Sequence, residues 1–112
     1  MSDRQQVVRD CYDAYARSDR SLIEPHISEA LRFYSPRDDG IDRDTYFERC
    51  WPGHEMFSGY EFKRLIEDGD DVVVTYEATR VNGTRFRNTE VLTFDADDKV
   101  ARVEVYFGWD LT

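Results

Sequence analysis

The sequence predicts an α+β protein in which three N-terminal helices pack on one face of a curved antiparallel sheet. Three observations predict this fold class. Apolar residues recur at helical spacing near the start of the chain, four β-rich segments fill its second half, and turn signals such as Asn82-Gly83 separate those segments. A chain of 112 residues can bury one core, so residues 1–112 are expected to form a single domain.

The first two helices are predicted from their start signals. Ser2-Asp3-Arg4-Gln5 has capping-box spacing, and the helix that follows is expected to end near Ser18. Its buried face is indicated by apolar residues at helical spacing, namely Val8, Cys11, Tyr12 and Tyr15. A second, short helix is predicted from Ser21, with Pro25 in its first turn, where the missing N–H breaks no intrahelical bond.

The segment before the sheet is predicted to contain a strand, a turn and a third helix. Leu31 to Ser35 reads as a strand that stops at the following proline. The turn-rich Arg37-Asp38-Asp39-Gly40 comes next. Asp42 or Asp44 can cap the third helix, and Pro52-Gly53 must end it.

The second half of the chain is predicted to form an antiparallel meander. Its four strands are expected over Tyr60 to Ile66, Asp71 to Val81, Arg85 to Asp95 and Val100 to Phe107. Asn-Gly between two β-rich runs is a strong hairpin signal, so neighbouring strands are expected to pair with each other.

Composition excludes several classes of function. The net charge is −9, and the sequence contains no block of Lys or Arg residues. Both observations argue against binding to nucleic acid or to an anionic membrane. The sequence shows no long apolar run and no signal peptide, so a cytoplasmic location is expected. Cys11 and Cys50 lack metal-type neighbours and only His26 and His54 could assist them, so we expect reduced thiols, no metal and no cofactor.

Glu90 stands out because its strand places it on an apolar face. Alternation along Thr89 to Asp95 puts Glu90 on the same face as Leu92 and Phe94. A buried charge is costly, so such an acid has a partner, a wet cavity or a chemical role. The simpler alternative is a structural acid that pairs with a tyrosine hydroxyl or with an arginine such as Arg64.

The chain as a whole resembles the nuclear transport factor 2-like superfamily, and within it the SnoaL-like and ketosteroid-isomerase-like proteins. The resemblance lies in the order of helices, in the short strand ending Phe33-Tyr34-Ser35-Pro36 and in the long meander. Its most specific piece runs from Leu92-Thr93-Phe94 through Lys99-Val100 to Val105-Tyr106-Phe107-Gly108, which is similar to the family's last hairpin. The resemblance implies a cone-shaped barrel with an open apolar cavity that binds a hydrophobic small molecule, and it implies a homodimer.

The resemblance also implies roles for individual residues. Ser35 stands where the ketosteroid isomerases hold their general base, so a true ketosteroid isomerase is not expected. The oxyanion-hole tyrosine falls at or beside Cys11, which leaves Tyr12 or Tyr15 to replace it. The second oxyanion-hole acid, which apolar surroundings keep protonated, falls on Glu90.

Two further residues are candidates for acid–base chemistry. His54 follows Pro52-Gly53 in an aromatic-rich segment, and a histidine beside a cavity can act near neutral pH. Asp38, with Asp39 and Asp42, lies near the place where the family often holds its base. A solvated loop histidine and ordinary turn or cap aspartates are the simpler explanations.

Two functions from different classes fit these observations. The first is a small-molecule-binding domain, with a cofactor-free isomerase, cyclase or dehydratase reaction on an apolar carbonyl compound. Glu90 would donate a hydrogen bond or a proton, and His54 or Asp38 would be the base. The ligand would contact Tyr12, Tyr15, Phe33, Trp51, Met56, Phe62, Phe94, Val103, Val105, Phe107 and Trp109. The second is a non-catalytic dimerisation or protein-association module, which can tolerate a cavity filled by its own side chains.

Overall fold

The structure, a computed structural model, describes residues 3–51 and 57–111. The helices are α1 (Asp3–Arg17) and α2 (Arg43–Cys50), and two short 3₁₀ turns cover Arg20–Leu22 and Glu24–His26. The strands are β1 (Ile27–Ser35), β2 (Asp38–Ile41), β3 (Phe57–Asp68), β4 (Asp71–Arg80), β5 (Arg85–Phe94) and β6 (Val100–Asp110).

The helical part agrees with the sequence except at the second helix. There the chain forms two 3₁₀ turns, and the residue that caps them is Asp19, whose carboxylate accepts from the Ser21 backbone N–H at 3.1 Å. The prediction of a Ser21 cap was therefore wrong. At α2 the structure selects Asp42 as the cap, because its carboxylate accepts from the Thr45 N–H at 2.9 Å.

One sheet contains all six strands, in the order β2-β1-β6-β5-β4-β3. The meander from β3 to β6 is antiparallel as predicted, but β1 pairs with β6 in parallel. The sheet is open, with β2 and β3 at its edges, so the predicted cone-shaped barrel does not close. The prediction of a wholly antiparallel sheet is also corrected, because of the parallel pair of β1 and β6. Register shifts interrupt several of these pairings, and such bulges bend a sheet.

The aspartate-rich segment that was predicted as a turn contributes the strand β2. It pairs antiparallel with β1, with Ser35 opposite Asp38. Gly40 follows in the left-handed region at φ 69°, a conformation that glycine adopts without strain. The short connection between the two strands places the Asp38 side chain beside Ser35 of β1.

The core lies between the helices and the inner face of the sheet. Its fully buried side chains come from α1, from Ile23 between the two 3₁₀ turns, from β1, from β4 and from the start of β6; examples are Val8, Leu31, Val74 and Val100. The outer face of the sheet is polar: Glu77 is contacted there by Arg85 at 3.0 Å and by Arg87 at 3.4 Å. No helix in the described part of the chain is long and apolar enough to cross a membrane.

Candidate functional site

A cavity of about 290 Å³ opens between α1, α2 and the inner face of the sheet. Its walls are mainly aliphatic and aromatic. The lining side chains that carry oxygen or nitrogen groups are Tyr12, Tyr15, Ser35, Arg37, Asp38, Tyr46, Tyr60, Tyr76, Asn88 and Glu90. An apolar cavity with a small number of converging polar groups is the usual form of a small-molecule site.

Glu90 lies at the inner end of this cavity, in the middle of β5. Its backbone pairs with Val74 on one side and with Val105 on the other. The carboxylate Oε2 accepts from the Tyr76 hydroxyl at 2.8 Å. The residue is partly buried, and it borders the cavity. Glu90 is therefore a cavity acid with a tyrosine partner.

Burial controls the protonation of Glu90. Loss of hydration raises the pKa of the carboxyl above the usual range for glutamate, and the Tyr76 and Tyr12 hydroxyls lower that pKa only in part. The carboxyl thus keeps its proton to a higher pH than an exposed glutamate does. In the protonated form it can donate a hydrogen bond as well as accept one.

The Tyr12 hydroxyl is close to Glu90 but has no hydrogen-bond partner within residues 3–51 and 57–111. It is close enough to affect the pKa of Glu90, yet the two groups do not reach hydrogen-bond geometry. Burial and the negative charge of Glu90 raise the pKa of Tyr12, so the hydroxyl remains a donor. The Tyr12 ring is fixed by edge contacts with Phe62 at 5.2 Å and Tyr76 at 4.9 Å between centroids.

The hydroxyls of three other cavity tyrosines are already paired. Tyr15 shares a very short hydrogen bond with Tyr46, and Tyr60 donates to the Asp13 carboxylate at 2.5 Å. The Trp51 ring lies 5.1 Å from the ring of Tyr15. The sequence did not decide between Tyr12 and Tyr15 as the oxyanion-hole tyrosine. Of the two, Tyr12 has a hydroxyl donor that is available beside Glu90.

A second acid, Asp38, reaches the cavity from the edge strand β2. Its Oδ2 accepts from the Ser35 hydroxyl at 2.8 Å, and its Oδ1 lies 2.8 Å from the Arg49 guanidinium. The Asp38 side chain is only 10% exposed. Ser35 stands where the ketosteroid isomerases have a carboxylate base. In this structure its hydroxyl binds the carboxylate of Asp38 instead.

At the cavity mouth the wall continues into an outer cavity of about 430 Å³. The two share Arg37, Phe86, Asn88 and Phe107, and the outer one is completed by Arg80, Gly108, Trp109 and Asp110. Gly108 is required here, because a Cβ at that position would lie 2.0 Å from the backbone oxygen of Arg87. Close approach of β6 to β5 therefore shapes the mouth.

The structure brings together many of the residues predicted for the site. Those that line the cavity are Tyr12, Tyr15, Phe33, Asp38, Glu90, Val103, Val105 and Phe107. Those that lie outside its lining are Trp51, Phe62, Phe94 and Trp109. Phe94 is buried deeper in the core and Trp109 is 61% exposed in the outer cavity. His54 and Met56 fall outside the described residues.

Several residues of the site were not predicted from the sequence, among them Tyr76, Asn88 and Arg37. Tyr76 could have been found, because alternation along β4 places it on the same face as Val72 and Val74. Asn88 likewise shares its face with Glu90, two positions away on β5. Arg37 had no such signal, because its position depends on the unpredicted strand β2.

No three His, Cys, Asp or Glu side chains of the described residues gather closely enough to hold a metal ion. Both cysteines are free and line the cavity. Burial raises the pKa of Cys11 to about 12 and that of Cys50 to about 11, so both are thiols at neutral pH.

The fold and the acid-containing cavity together define an NTF2-like protein, and comparison with known families identifies the branch. Residues 8–103 match the SnoaL-like domain, so the chain belongs to the SnoaL-like family. No curated protein matches the chain. The family assignment confirms the resemblance that the sequence indicated.

Solved structures show the same fold. An NTF2-like protein of unknown function from Burkholderia pseudomallei is 21% identical, with 96% of this chain and 92% of that chain covered and a TM-score of 0.74. A SnoaL-like protein of unknown function from Burkholderia thailandensis is 19% identical, with 94% and 93% covered and a TM-score of 0.74. AclR from Streptomyces galilaeus, for which a hydroxylase activity has been suggested, is 24% identical, with 96% and 76% covered and a TM-score of 0.76.

Proposed function

We propose that this SnoaL-like domain binds an apolar, carbonyl-bearing small molecule in its cavity and polarises the carbonyl through Tyr12 and protonated Glu90. The Tyr12 hydroxyl carries the proposal, since it is buried, lines the cavity and is unpartnered among the described residues. A buried donor without a partner costs roughly 1–3 kcal/mol. A ligand oxygen at this position would satisfy it.

Protonated Glu90 supports the same interaction. Its hydrogen bond with Tyr76 holds the carboxyl beside Tyr12, and its raised pKa keeps it a donor over a wider pH range. Two donors aimed at one carbonyl oxygen stabilise negative charge that develops there. That is the arrangement required for enolisation or for a related proton transfer next to a carbonyl.

Turnover also requires a base, and Asp38 is the candidate within the described residues. It lines the cavity as a carboxylate held by Ser35 and Arg49. We infer a cofactor-independent isomerase, cyclase or dehydratase reaction in which Asp38 removes a proton while Tyr12 and Glu90 stabilise the oxyanion.

The alternative function, a non-catalytic association module, is less well supported. Such a module can fill its cavity with its own side chains, whereas here open space remains beside Glu90 and Tyr12. Exposed aromatic residues on β6, such as Tyr106 and Trp109, are compatible with either function.

The first test is whether the cavity binds an apolar molecule. N-phenyl-1-naphthylamine is a neutral dye whose fluorescence increases in apolar surroundings, and it should bind the wild-type protein. Val105→Trp places a large ring opposite Glu90 and should weaken dye binding by at least about tenfold, roughly 1.4 kcal/mol. Val81→Trp is the control, because Val81 is 67% exposed and lies outside both cavities. Equal dye binding by the two variants would contradict the proposed site.

The second test concerns the carbonyl. Displacement of the dye by 2-acetylnaphthalene and by 2-ethylnaphthalene compares a ketone with a hydrocarbon of similar shape. We expect the wild-type protein to favour the ketone and Tyr12→Phe to reduce that preference about threefold to tenfold, the effect of one hydrogen bond. Tyr34→Phe is the matched control, because Tyr34 is not part of the cavity lining. A preference that survives Tyr12→Phe unchanged would remove Tyr12 from the proposal.

A further inference from the structure

Arg37 is placed where the inner and outer cavities meet, and it lines both. Its side chain is exposed. The contact recorded for its guanidinium is with the ring of Phe107, 5.9 Å from the centroid. Across residues 3–51 and 57–111, no carboxylate lies within ion-pairing distance of this guanidinium. The group is thus held over an apolar entrance, and residues 3–51 and 57–111 supply no counter-charge to it.

The other charged groups of the inner cavity do not offset Arg37. Glu90 has a raised pKa because of burial, and Asp38 is paired with Arg49 at 2.8 Å. In the outer cavity Arg80 lies 3.8 Å from Asp110, so these two largely balance. Within the described lining of the joined cavities, Arg37 is therefore a cation without an ion-pair partner, in a protein whose net charge is −9.

The surroundings of Arg37 favour an anion that belongs to a larger apolar molecule. Phe86 and Phe107 form the wall that runs from the inner cavity past Arg37 to the outer one. A free inorganic anion would gain nothing from these rings, whereas an aromatic or aliphatic acid would bury its carbon skeleton against them. Its carboxylate would then meet a guanidinium whose planar donors suit a carboxylate.

We propose that the ligand of the cavity is an apolar carboxylic acid whose carboxylate pairs with Arg37 at the mouth. This inference rests on the proposed function and names the chemical class of its ligand: an apolar body, a carbonyl oxygen toward Tyr12 and Glu90, and an anionic end toward Arg37. Recognition at two ends fixes which end of the molecule enters first.

The test compares two competitors that differ in charge. 2-Naphthoate and 2-naphthamide have nearly the same shape, and only the first is an anion at pH 7. Each is titrated against bound N-phenyl-1-naphthylamine. The wild-type protein should favour naphthoate over naphthamide by about twofold to fivefold, the range for an ion pair with an exposed side chain.

Variants at Arg37 separate a local ion pair from a general charge effect. Arg37→Gln should abolish the preference for naphthoate over naphthamide, with both competitors measured against that variant's own affinity for the dye, whereas Arg37→Lys should retain part of the preference. Arg64→Gln makes the same change of charge on an exposed residue that lines neither cavity, and it should behave as wild type.

The outcomes distinguish this inference from the function on which it rests. Dye binding with equal displacement by naphthoate and naphthamide would overturn the ligand class and leave the cavity function standing. A preference for naphthoate that persists in Arg37→Gln would also overturn the assignment. Failure of the wild-type protein to bind the dye would overturn both proposals together.

Discussion

At the scale of single residues, Glu90 is governed by two opposing effects. Burial disfavours the carboxylate, and the hydroxyls of Tyr76 and Tyr12 favour it. The desolvation effect is the larger, so the pKa is raised despite the hydrogen bond of 2.8 Å from Tyr76. A site designed only for stability would have no need of an acid here, because an apolar side chain would pack without that cost.

A pH-dependent stability follows from this raised pKa. The folded state holds the proton of Glu90 more tightly than the unfolded chain does. The associated stability is complete below the unfolded value of about 4.3 and is lost as pH rises through the folded pKa. Glu90→Gln cannot ionise, so its free energy of unfolding should gain on wild type over that window, by up to about 1.4 kcal/mol per pH unit.

Urea denaturation at a series of pH values measures this difference. Glu48→Gln is a suitable control, because it removes a carboxylate from the exposed surface of α2. If Glu90→Gln and Glu48→Gln follow the same pH profile, the carboxyl of Glu90 does not titrate with a raised pKa, and its role as a buried donor is lost.

The sequence could predict a site residue when the signal for it lies in neighbouring residues. It could not do so when the residue's position depends on strand pairing. Glu90 was found because alternation over a few neighbours fixes the face of a strand. Asp38 was named as a candidate base only through the resemblance, and its own residue type favoured a turn. Its contact with the cavity depends on the pairing of Ser35 with Asp38, a feature of tertiary structure. Arg37 depends on the same pairing and was missed.

At the scale of secondary-structure elements, the meander was the most predictable part of the fold. Its strands alternate clearly and are separated by turn signals, and Asn82-Gly83 connects β4 to β5 with Gly83 at φ 88°. The parallel pairing of β1 with β6 joins distant parts of the chain, and no turn signal can mark such a contact. The short strand β2 was hidden because its residues are typical of turns.

The pairing of β5 with β6 supplies a prediction at this scale. Gly108→Ala should destabilise the protein by about 1–3 kcal/mol, because the new methyl group would overlap the Arg87 carbonyl oxygen and neither backbone can move freely. The register shift beside Asn88 should change with it, and dye binding at the cavity mouth should weaken.

Gly59→Ala provides the matched control in another strand. A Cβ at Gly59 meets no atom of the described residues within 4 Å, so this substitution should be neutral or slightly stabilising. Thermal unfolding of the two variants is the measurement. Equal stability of Gly108→Ala and Gly59→Ala would show that β6 does not approach β5 as closely as the structure describes.

At the scale of the whole molecule, the two faces of the sheet differ in what covers them. Helices and core side chains cover the inner face, while the outer face carries no helix among the described elements. Its central rows contain Thr75 beside Thr89, whose hydroxyls are 2.9 Å apart, and the exposed side chains of Ile66 and Tyr106. Such a mixed and extensive surface suits a partner of the same kind.

We predict a homodimer that associates through this outer face. In a two-fold interface each substitution occurs twice. Tyr106→Glu would therefore add one negative charge next to Glu104 on each copy, or two per dimer. A stable interface of standard size buries roughly 1,600 Å² in total, and like charges placed within it should raise the dissociation constant by at least about tenfold. Val81→Glu adds the same charge at an exposed position in the β4–β5 connection and should leave the dimer intact.

Light scattering at micromolar concentration measures the mass of each protein directly. A monomeric mass for the wild type, or equal effects of the two substitutions, would place the dimer interface elsewhere or exclude it.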